Sequence, residues 1–303
     1  MRLSTRASAG RCVGIDLGTA RIKLCGPRGE RLSLTRIDRE ALISEAEATR
    51  LARVLERRGW RGHPVRLIAP QGIVRAAELS LPPRSSGAPV DEIARQECRR
   101  LFGLDGGFEL SLVPLPAGRE TGVEPALAIA CGHDAAEGVL APLERAGIEV
   151  TAFEPAVTAL SRAAGSGAVL TLDLGAGSSM IVTSVDGEAR YQRELPDLTG
   201  PLLGLDRPVT NAARREALRE RFADELDRTV RYLAQRFSFS PSRSLRLIGG
   251  YAECAEPVVG EATSELGWSV SIDAGEYALA AAAALDAAPD APMLADPVRE
   301  VAA

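Results

Sequence analysis

The chain has 303 residues, of which 46% are hydrophobic and 25% are charged, and its formal net charge is −5. This composition predicts a globular protein large enough for two domains or one bilobed unit, and its acidic balance argues against nucleic acid as a partner. No apolar run reaches the roughly eighteen residues of a membrane span, and the first ten residues lack the apolar core of a signal peptide, so we expect a cytoplasmic protein without direct membrane insertion.

The first half of the chain begins with a predicted meander of three strands, at residues 12–16, 21–25 and 31–36. A helix over residues 39–58 and a strand over residues 65–69 are predicted to follow. A three-stranded meander followed by alternating helices and strands is typical of an RNase H-like domain.

A small inserted subdomain is predicted to interrupt this half over about residues 72–118. Its predicted elements are a strand at 73–81, a linker rich in Pro, Ser and Gly at 82–87, a helix at 90–102 and a strand at 108–114. The core of the first half is then predicted to resume with a strand at 126–131, a helix at 134–146, a strand at 148–153 and a helix at 155–164.

The second half repeats the order of the first. Its predicted strands lie at 169–173, 178–185, 189–193, 245–249 and 269–272, and its predicted helices lie at 212–237, between the last two strands, and at 274–285. The sequence therefore predicts a duplicated α/β fold.

The first strand of each half ends in Asp-Leu-Gly, at residues 16–18 and again at 173–175, and each copy leads into a turn of small residues. Backbone N–H groups at such a tip can approach phosphate oxygens, and the aspartate can hold the waters of Mg²⁺. Ordinary turn chemistry explains one copy alone equally well, because glycine suits tight turns. The pair in matching halves is more specific and predicts two tips that grip a nucleotide from both sides.

Lys23 is the only lysine in the chain, although 36 residues are lysine or arginine. It lies on the strand that directly follows the first tip. A compact ammonium reaches a phosphate as a point charge where the guanidinium fork of arginine would not fit. Lys23 is therefore a candidate phosphate ligand, and its chance retention at an exposed strand position is the alternative.

These features together resemble the actin-like ATPase superfamily and, within it, the PilM family of type IV pilus assembly proteins, to which the cell-division protein FtsA is related. Residues 15–24 resemble the first phosphate motif, residues 172–179 the second, residues 247–252 the adenosine motif and residues 153–160 the helix between the lobes. The resemblance implies an α/β, duplicated RNase H-like fold, with two lobes around a nucleotide cleft and a small inserted subdomain in the first lobe.

The resemblance further implies ATP and Mg²⁺ as cofactors. The residues expected to bind the nucleotide are Asp16, Gly18, Thr19, Ala20, Lys23, Asp173, Gly175, Gly177, Ser178, Ser179, Gly249, Gly250 and Tyr251. Asp16 and Asp173 are also expected to hold Mg²⁺ through water.

Glu154 is the candidate catalytic residue. It precedes Pro155, which suits the first position of a helix, and the superfamily carries a water-positioning residue facing the cleft at this place. The alternative is a structural carboxylate that the helix dipole stabilises at a helix N-terminus.

The chain also departs from the family pattern. PilM-like proteins carry a further subdomain with an Ala-Glu-x-x-Lys helix after the second phosphate hairpin, whereas here residues 194–200 lead through a short stretch to Asn211 and a long helix. We therefore expect hydrolysis to be slow or absent. The expected organisation is a first lobe at 12–164, a second lobe at 165–287 without most of its extra subdomain, and disordered ends at 1–11 and 288–303.

The function implied by the resemblance is an ATP-binding component of a type IV pilus or type II secretion platform, peripheral to the inner membrane. Its implied partner is the N-terminal cytoplasmic tail of a PilN-type inner-membrane protein, and self-association is left open. A nucleotide-free structural adaptor of the same platform is the alternative, and a small-molecule kinase of the same fold ranks lower.

Overall fold

A computed structural model describes residues 12–28, 31–38, 43–70, 72–116, 122–237, 243–272, 275–284 and 298–299. The disorder predicted for residues 1–11 and for most of the tail lies outside these residues. Residues 298–299 form a short strand that pairs with residues 33–34. Within the described part of the chain, no helix has the length and apolarity needed to cross a membrane.

The strands are β1 (Val13–Leu17), β2 (Arg21–Arg28), β3 (Arg31–Asp38), β4 (Val65–Ile68), β5 (Val74–Leu81), β6 (Phe108–Pro114), β7 (Glu124–Gly132), β8 (Val150–Glu154), β9 (Ala168–Leu174), β10 (Ser179–Val185), β11 (Glu188–Glu194), β12 (Ser244–Ile248), β13 (Ser269–Ile272) and β14 (Val298–Arg299). The α-helices are α1 (Glu45–Arg57), α2 (Val90–Phe102), α3 (His133–Arg145), α4 (Ala156–Ala164), α5 (Ala212–Arg236), α6 (Ala252–Glu265) and α7 (Ala278–Ala284). Three short 3-10 helices lie at Arg84–Ser86, Pro196–Leu198 and Gly275–Tyr277.

Helix α1 begins six residues later than predicted. Ser44 has extended backbone dihedrals, and its side chain accepts a hydrogen bond from the N–H of Glu47 at 3.2 Å. This is the geometry of an N-cap, which fixes the start of a helix by satisfying an otherwise unpaired N–H group. The beginning of the predicted helix, at residues 39–42, lies outside the described residues.

Two sheets share one topology. The first has the strand order β14-β3-β2-β1-β4-β8, and the second has the order β11-β10-β9-β12-β13. In each, the first strand of the half pairs antiparallel with the second and parallel with the fourth. The predicted duplicated fold is confirmed, and it places Asp16 and Asp173 at the carboxyl ends of the equivalent strands β1 and β9, the edge where open α/β sheets bind ligands.

The strand predicted at 126–131 lies elsewhere than expected. It was predicted to return to the first core sheet, but β7 is the centre of a third sheet with the order β5-β7-β6. Its alternation explains the placement: Ala126, Ala128 and Ala130 pack in the core that includes α2, while Leu127 belongs to the core of the second half. The inserted segment therefore runs to the end of β7, beyond residue 118.

The inserted sheet packs on the second half, although its sequence interrupts the first. Leu115 and Leu127 join the hydrophobic core that also contains the second sheet and α5. At the edge of this contact, the Tyr232 hydroxyl donates to Glu78 at 2.8 Å and Arg236 donates to Glu78 at 2.6 Å. Because Glu78 lies on β5 and its two partners lie on α5, both apolar and ionic contacts hold the insert to the second half.

Helices α4 and α7 are exchanged between the halves. Helix α4 follows the last strand of the first sheet yet packs on β10 and β11, whereas α7, at the end of the second half, packs on β1 and β2. The two helices meet through small side chains, among them Ala159, Ala282 and Ala283. A Cβ on Gly14 would overlap the carbonyl oxygen of Ala280, so the approach of α7 to β1 requires glycine at this position.

The close contact of α7 with β1 predicts a large effect from a single methyl group. Gly14→Ala should lower the free energy of unfolding by about 1–3 kcal/mol, because overpacking displaces α7. The matched control is Gly138→Ala on the exposed side of α3, where an added Cβ meets nothing within 4 Å; it should stabilise slightly, since alanine favours helix. Urea denaturation measures both, and equal effects would contradict this packing.

Candidate nucleotide-binding cleft

The tips of the two Asp-Leu-Gly hairpins line one cleft between the halves, with a volume of about 740 Å³. Gly18 and Gly177 both border it, and the tips touch: a Cβ on Gly177 would overlap the hydroxyl oxygen of Thr19 and lie 2.9 Å from its Cβ and Cγ2. A cleft of this size suits a small organic ligand or nucleotide.

Glycine is required where these turns are tightest. The N–H of Gly175 donates to the carbonyl of Ser178 at 2.9 Å, which closes the second tip, and a Cβ on Gly175 would overlap that carbonyl. Gly249 has φ of +97°, and a Cβ there would lie 2.5 Å from the Oδ1 atom of Asp173. Both glycines let backbone pack where any side chain would intrude.

Several backbone donors at the tips are not used by the fold. Within the described part of the chain, the N–H groups of Thr19, Ala20, Ala176 and Gly177 have no hydrogen-bond partner. Successive unpaired N–H groups in a turn form a concave site for anions. Both sides of the cleft therefore offer donors to an anionic group.

The ammonium group of Lys23 interacts with two buried carboxylates beneath the tips. Lys23 donates to Oδ2 of Asp16 at 2.8 Å, and Asp16 and Asp173 are only 4% and 7% exposed. Burial alone would lower the pKa of Lys23, but the charge and hydrogen bond of Asp16 outweigh it and raise that pKa. Burial raises the pKa of Asp173 to about 7, against the opposing charge of Lys23 and with a further increase from Asp16.

The cleft as a whole is acidic. Its lining includes the carboxylates Asp16, Asp173, Glu194, Asp206 and Glu276, against the two cations Arg21 and Lys23. An excess of carboxylates repels a free polyphosphate but suits one that carries a divalent cation, and Mg²⁺ takes one or two carboxylates together with water and phosphate oxygens. Among the described residues, no group of three or more His, Cys, Asp and Glu side chains is arranged around a common point for a metal.

The predicted adenosine motif lines the side of this cleft that the second half forms, and a Cβ on Gly249 would lie 2.4 Å from the carbonyl oxygen of Leu174. Gly249, Gly250 and Tyr251 all line the cleft, and the Tyr251 ring lies over Gly200 so closely that a Cβ on Gly200 would overlap the ring. Burial and the nearby charge of Asp206 raise the pKa of the Tyr251 hydroxyl. This side of the cleft therefore offers an aromatic face and a carboxylate from the second half.

Glu276, which also lines the cleft, joins the two halves. Its carboxylate accepts hydrogen bonds from Arg21 at 3.0 Å and from Arg36 at 2.8 Å. The two arginines lie on β2 and β3, and Glu276 precedes α7. Its ion pairs hold the start of α7 over the first sheet.

Twelve of the thirteen predicted nucleotide-binding residues line the cleft, namely Asp16, Gly18, Thr19, Ala20, Lys23, Asp173, Gly175, Gly177, Ser178, Gly249, Gly250 and Tyr251. Ser179 does not, because its buried hydroxyl donates to the carbonyl of Leu198 at 3.0 Å. The structure thus does not bring the side chain of Ser179 to the cleft, and contact of this residue with a nucleotide stays a prediction.

Glu154 does not face the cleft as predicted. It is 9% exposed, it is not part of the cleft lining, and both of its carboxylate oxygens accept hydrogen bonds from Arg162, at 2.7 and 2.9 Å. Arg162 lies two turns further along α4, so the pair braces the junction of β8 with that helix. The structural alternative is better supported than a water-positioning role.

Five polar residues of the cleft were not predicted from the sequence: Arg21, Gln192, Glu194, Asp206 and Glu276. Gln192 and Glu194 alternate with Tyr191 and Arg193 on β11, and this period of two could have assigned them to the face away from α5. Nothing in the sequence around Asp206 and Glu276 signals their position, because it depends on where a turn-rich connection and a C-terminal helix return.

The chain is similar to known proteins at the level of the fold. No family model and no curated protein matches the sequence. Among solved structures, a PilM–PilN type IV pilus biogenesis complex is similar, with a TM-score of 0.65 and 19% identity over 91% of this chain and 98% of that chain. The ethanolamine utilization protein EutJ from Carboxydothermus hydrogenoformans has a TM-score of 0.53 and 16% identity, over 93% of each chain.

A third similar structure is a Bacteroides thetaiotaomicron protein described as having an actin-like ATPase fold, with a TM-score of 0.53 and 11% identity over 91% of this chain and 96% of that chain. The chain thus has the two-lobed, actin-like ATPase fold, as predicted. At these identities, the likeness to the PilM–PilN complex is one of fold.

The buried position of Asp173 predicts a pH effect on stability. A carboxyl group whose pKa is raised on folding binds its proton more tightly in the folded state, so its contribution to stability falls as pH rises from about 4 to about 7. In metal-free buffer, Asp173→Asn should match the wild type near pH 4, where the carboxyl is protonated, and be more stable by about 1–4 kcal/mol at pH 8. Urea denaturation at both pH values measures the difference.

The control for this prediction is Asp91→Asn, which neutralises an exposed carboxylate on α2. Its unfolding free energy should run parallel to that of the wild type over the same pH range. If the unfolding free energy of Asp173→Asn also ran parallel to that of the wild type, the result would contradict a buried, ionisable carboxyl at residue 173.

Proposed function

We propose that this chain is an actin-like scaffold that binds a magnesium–adenine nucleotide, ATP or ADP, between its two hairpin tips. The observation that carries the proposal is the meeting of two equivalent tips in one cleft, with unpaired N–H groups on both sides and Lys23 beneath them. The donors would bind phosphate oxygens, and Gly249, Gly250 and Tyr251 would contact the adenosine.

Asp16 and Asp173 fit a magnesium ion held through water. Their two buried carboxylates share a single ammonium, and the raised pKa of Asp173 marks a negative charge that the fold leaves incompletely neutralised. When bound, Mg²⁺ neutralises phosphate charge. The protein's part is to present the two carboxylates at adjacent strand ends while Lys23 remains beside Asp16.

Hydrolysis is proposed to be slow or absent. Glu154, the residue expected to position water, is held in a bidentate ion pair with Arg162 outside the cleft. The connection from β11 to α5 contains one short 3-10 helix instead of a further subdomain. Both features support binding as the main role of the nucleotide.

The biological role that we propose is a cytoplasmic component of a type IV pilus or type II secretion platform. Its partner would be the N-terminal cytoplasmic tail of a PilN-type inner-membrane protein, which would keep it at the membrane surface. The fold shared with the protein of the PilM–PilN complex, over 98% of that chain, supports this role together with the sequence resemblance.

Calorimetry with magnesium nucleotides tests the binding claim. The wild type should bind Mg-ADP or Mg-ATP with a dissociation constant below about 1 mM, and Lys23→Met and Asp16→Asn should each weaken it at least tenfold, since charge-assisted contacts are lost. Asp91→Asn, a conservative change outside the cleft, should bind as the wild type does. Unchanged affinity in both cleft variants would place the nucleotide elsewhere.

One observation favours a second candidate, the nucleotide-free adaptor. Thr19 already touches Gly177, so the packing of the two halves alone brings the tips into contact. The adaptor predicts no heat with any adenine nucleotide up to millimolar concentration, and thermal unfolding at the same temperature with and without Mg²⁺ and nucleotide. Either a binding heat or a nucleotide-dependent shift in Tm would exclude it.

Peptide binding tests the proposed PilN-type partner. Immobilised peptides from the cytoplasmic N-termini of PilN-type proteins of the same organism should retain the purified full-length chain, while a scrambled peptide of equal composition should not. If no PilN-type peptide retained the chain, either with or without Mg-nucleotide, the proposed platform role would be contradicted. The proposal that the chain binds a nucleotide would be unaffected.

A further inference from the structure

Strand β6 forms one edge of the inserted sheet, in which the strand order is β5-β7-β6. The N–H of Leu115, directly after this strand, donates to the carbonyl of Pro125 on β7 at 2.9 Å, and the register is uninterrupted over Phe108–Pro114. Residues of an antiparallel pair face the other strand alternately. The odd-numbered residues therefore bond to β7, and the backbone N–H and C=O groups of Leu110 and Leu112 point away from the sheet.

Arginine side chains occupy the carbonyls at the two ends of this edge. Arg95 of α2 donates to the carbonyl of Phe108 at 3.4 Å, and Arg190 of β11 donates to the carbonyl of Pro114 at 3.2 Å. In the described part of the chain, the N–H and C=O groups of the two leucines between these ends have no hydrogen-bond partner. An extended peptide that added a strand to this edge could bond to these four groups.

The side chains beside this edge are apolar. Leu110 and Leu112 are half-buried and pack on the core that α2 forms with Phe108, whereas Glu109 and Ser111 between them are exposed. The face of β6 toward α2 thus offers apolar contacts to every second residue of an added strand.

Two guanidinium groups lie at the Phe108 end of the edge. The Cζ atoms of Arg95 and Arg99 lie 5.6 and 5.7 Å from the centroid of the Phe108 ring. A guanidinium stacked on an aromatic ring keeps its planar fork of N–H donors available for a carboxylate. Among the described residues, no carboxylate pairs with either arginine.

The acidic side chains of α2 have other partners. Asp91 pairs with Arg84 at 3.1 Å, Glu92 accepts a hydrogen bond from Gln96 at 3.3 Å, and Glu97 pairs with Arg100 at 2.7 Å. The Phe108 end of the edge therefore carries positive charge that an acidic ligand would complement.

We propose that the free edge of β6 binds an extended, acidic peptide segment of another protein as an added strand. The peptide backbone bonds to Leu110 and Leu112, and a carboxylate of the peptide bonds to Arg95 and Arg99. None of these residues lines the cleft between the halves, so the proposal does not depend on nucleotide binding.

A second copy of this chain does not supply the required carboxylate. In a two-fold pairing of two β6 strands that sets Leu110 opposite Leu112 of the second copy, Phe108 lies opposite Pro114. Arg190 is bonded to this proline, and the neighbouring Glu188 is already paired with Arg190 at 2.5 Å. The charges at the ends of the edge therefore disfavour self-pairing, as is common for exposed edge strands.

Peptide selection followed by binding measurements tests the proposal on the full-length chain. Twelve-residue peptides from a random displayed library are selected on the wild type, then synthesised with a fluorescent label and titrated by anisotropy. The selected peptides should contain aspartate or glutamate and bind with a dissociation constant below about 100 μM. Replacing that acidic residue by its amide should weaken binding at least about fivefold, since a charge-assisted contact is lost.

Two variants locate the site on β6. Leu112→Pro removes one outward N–H, which an edge strand tolerates, and should weaken peptide binding at least about tenfold. Arg99→Gln should weaken the acidic peptide at least about fivefold and leave its amide counterpart unchanged. Arg100→Gln, on the same helix but paired with Glu97, is the matched control and should bind as the wild type does.

Hydrogen–deuterium exchange gives a readout that does not depend on how well Leu112→Pro folds. Saturating peptide should slow amide exchange in the segment that covers residues 108–114, because the outward N–H groups become hydrogen-bonded. Failure to select any peptide, or binding that Arg99→Gln leaves unchanged without protection of this segment, would overturn the proposal. Dimers in sedimentation equilibrium that Leu112→Pro dissociates would also overturn it, because a second copy would then occupy the edge.

Discussion

The cleft depends on a single ammonium placed between two buried carboxylates from different halves of the molecule. Asp16 ends the central strand of the first sheet, Asp173 ends the equivalent strand of the second, and Lys23 bonds directly to Asp16 while its charge acts on both. Burial of a carboxylate whose charge is not fully neutralised costs free energy. The pKa of Asp173 is therefore raised, and a further cation beside this carboxylate would be stabilising. The same charges that hold the site together thus make it fit a metal–phosphate group.

The exchanged helices explain how two sheets can present one site. Helix α4 packs on the sheet of the other half, α7 does the same in return, and their small side chains let them approach closely at the base of the cleft. Glu276 adds an ionic connection from α7 to two strands of the first sheet. The inserted sheet also packs on the second half, through Leu115, Leu127 and Glu78. Separation of the tips must therefore work against contacts at both the base and the insert.

The sequence predicts the parts of this site that are local. The Asp-Leu-Gly tips, Lys23 and the Gly-Gly turn are each defined by a few consecutive residues, and duplication of the order of elements places them at equivalent strand ends. The positions of Glu154 and β7 were mispredicted because they depend on distant partners: Arg162 lies eight residues away along a helix, and an alternating alanine-rich strand such as β7 can pair in either of two sheets. The contact of Glu276 with Arg21 spans 255 residues, and no local pattern encodes it.

Hydrogen–deuterium exchange tests most directly whether both tips hold one ligand. With saturating Mg-ADP, the account predicts slower amide exchange in the peptide that covers residues 16–24 and, together with it, in the peptide that covers residues 173–180, whereas the exposed helix α2 in the insert should exchange as before. Protection of only one tip, or of neither under conditions where calorimetry shows binding, would contradict a shared phosphate site between the two halves.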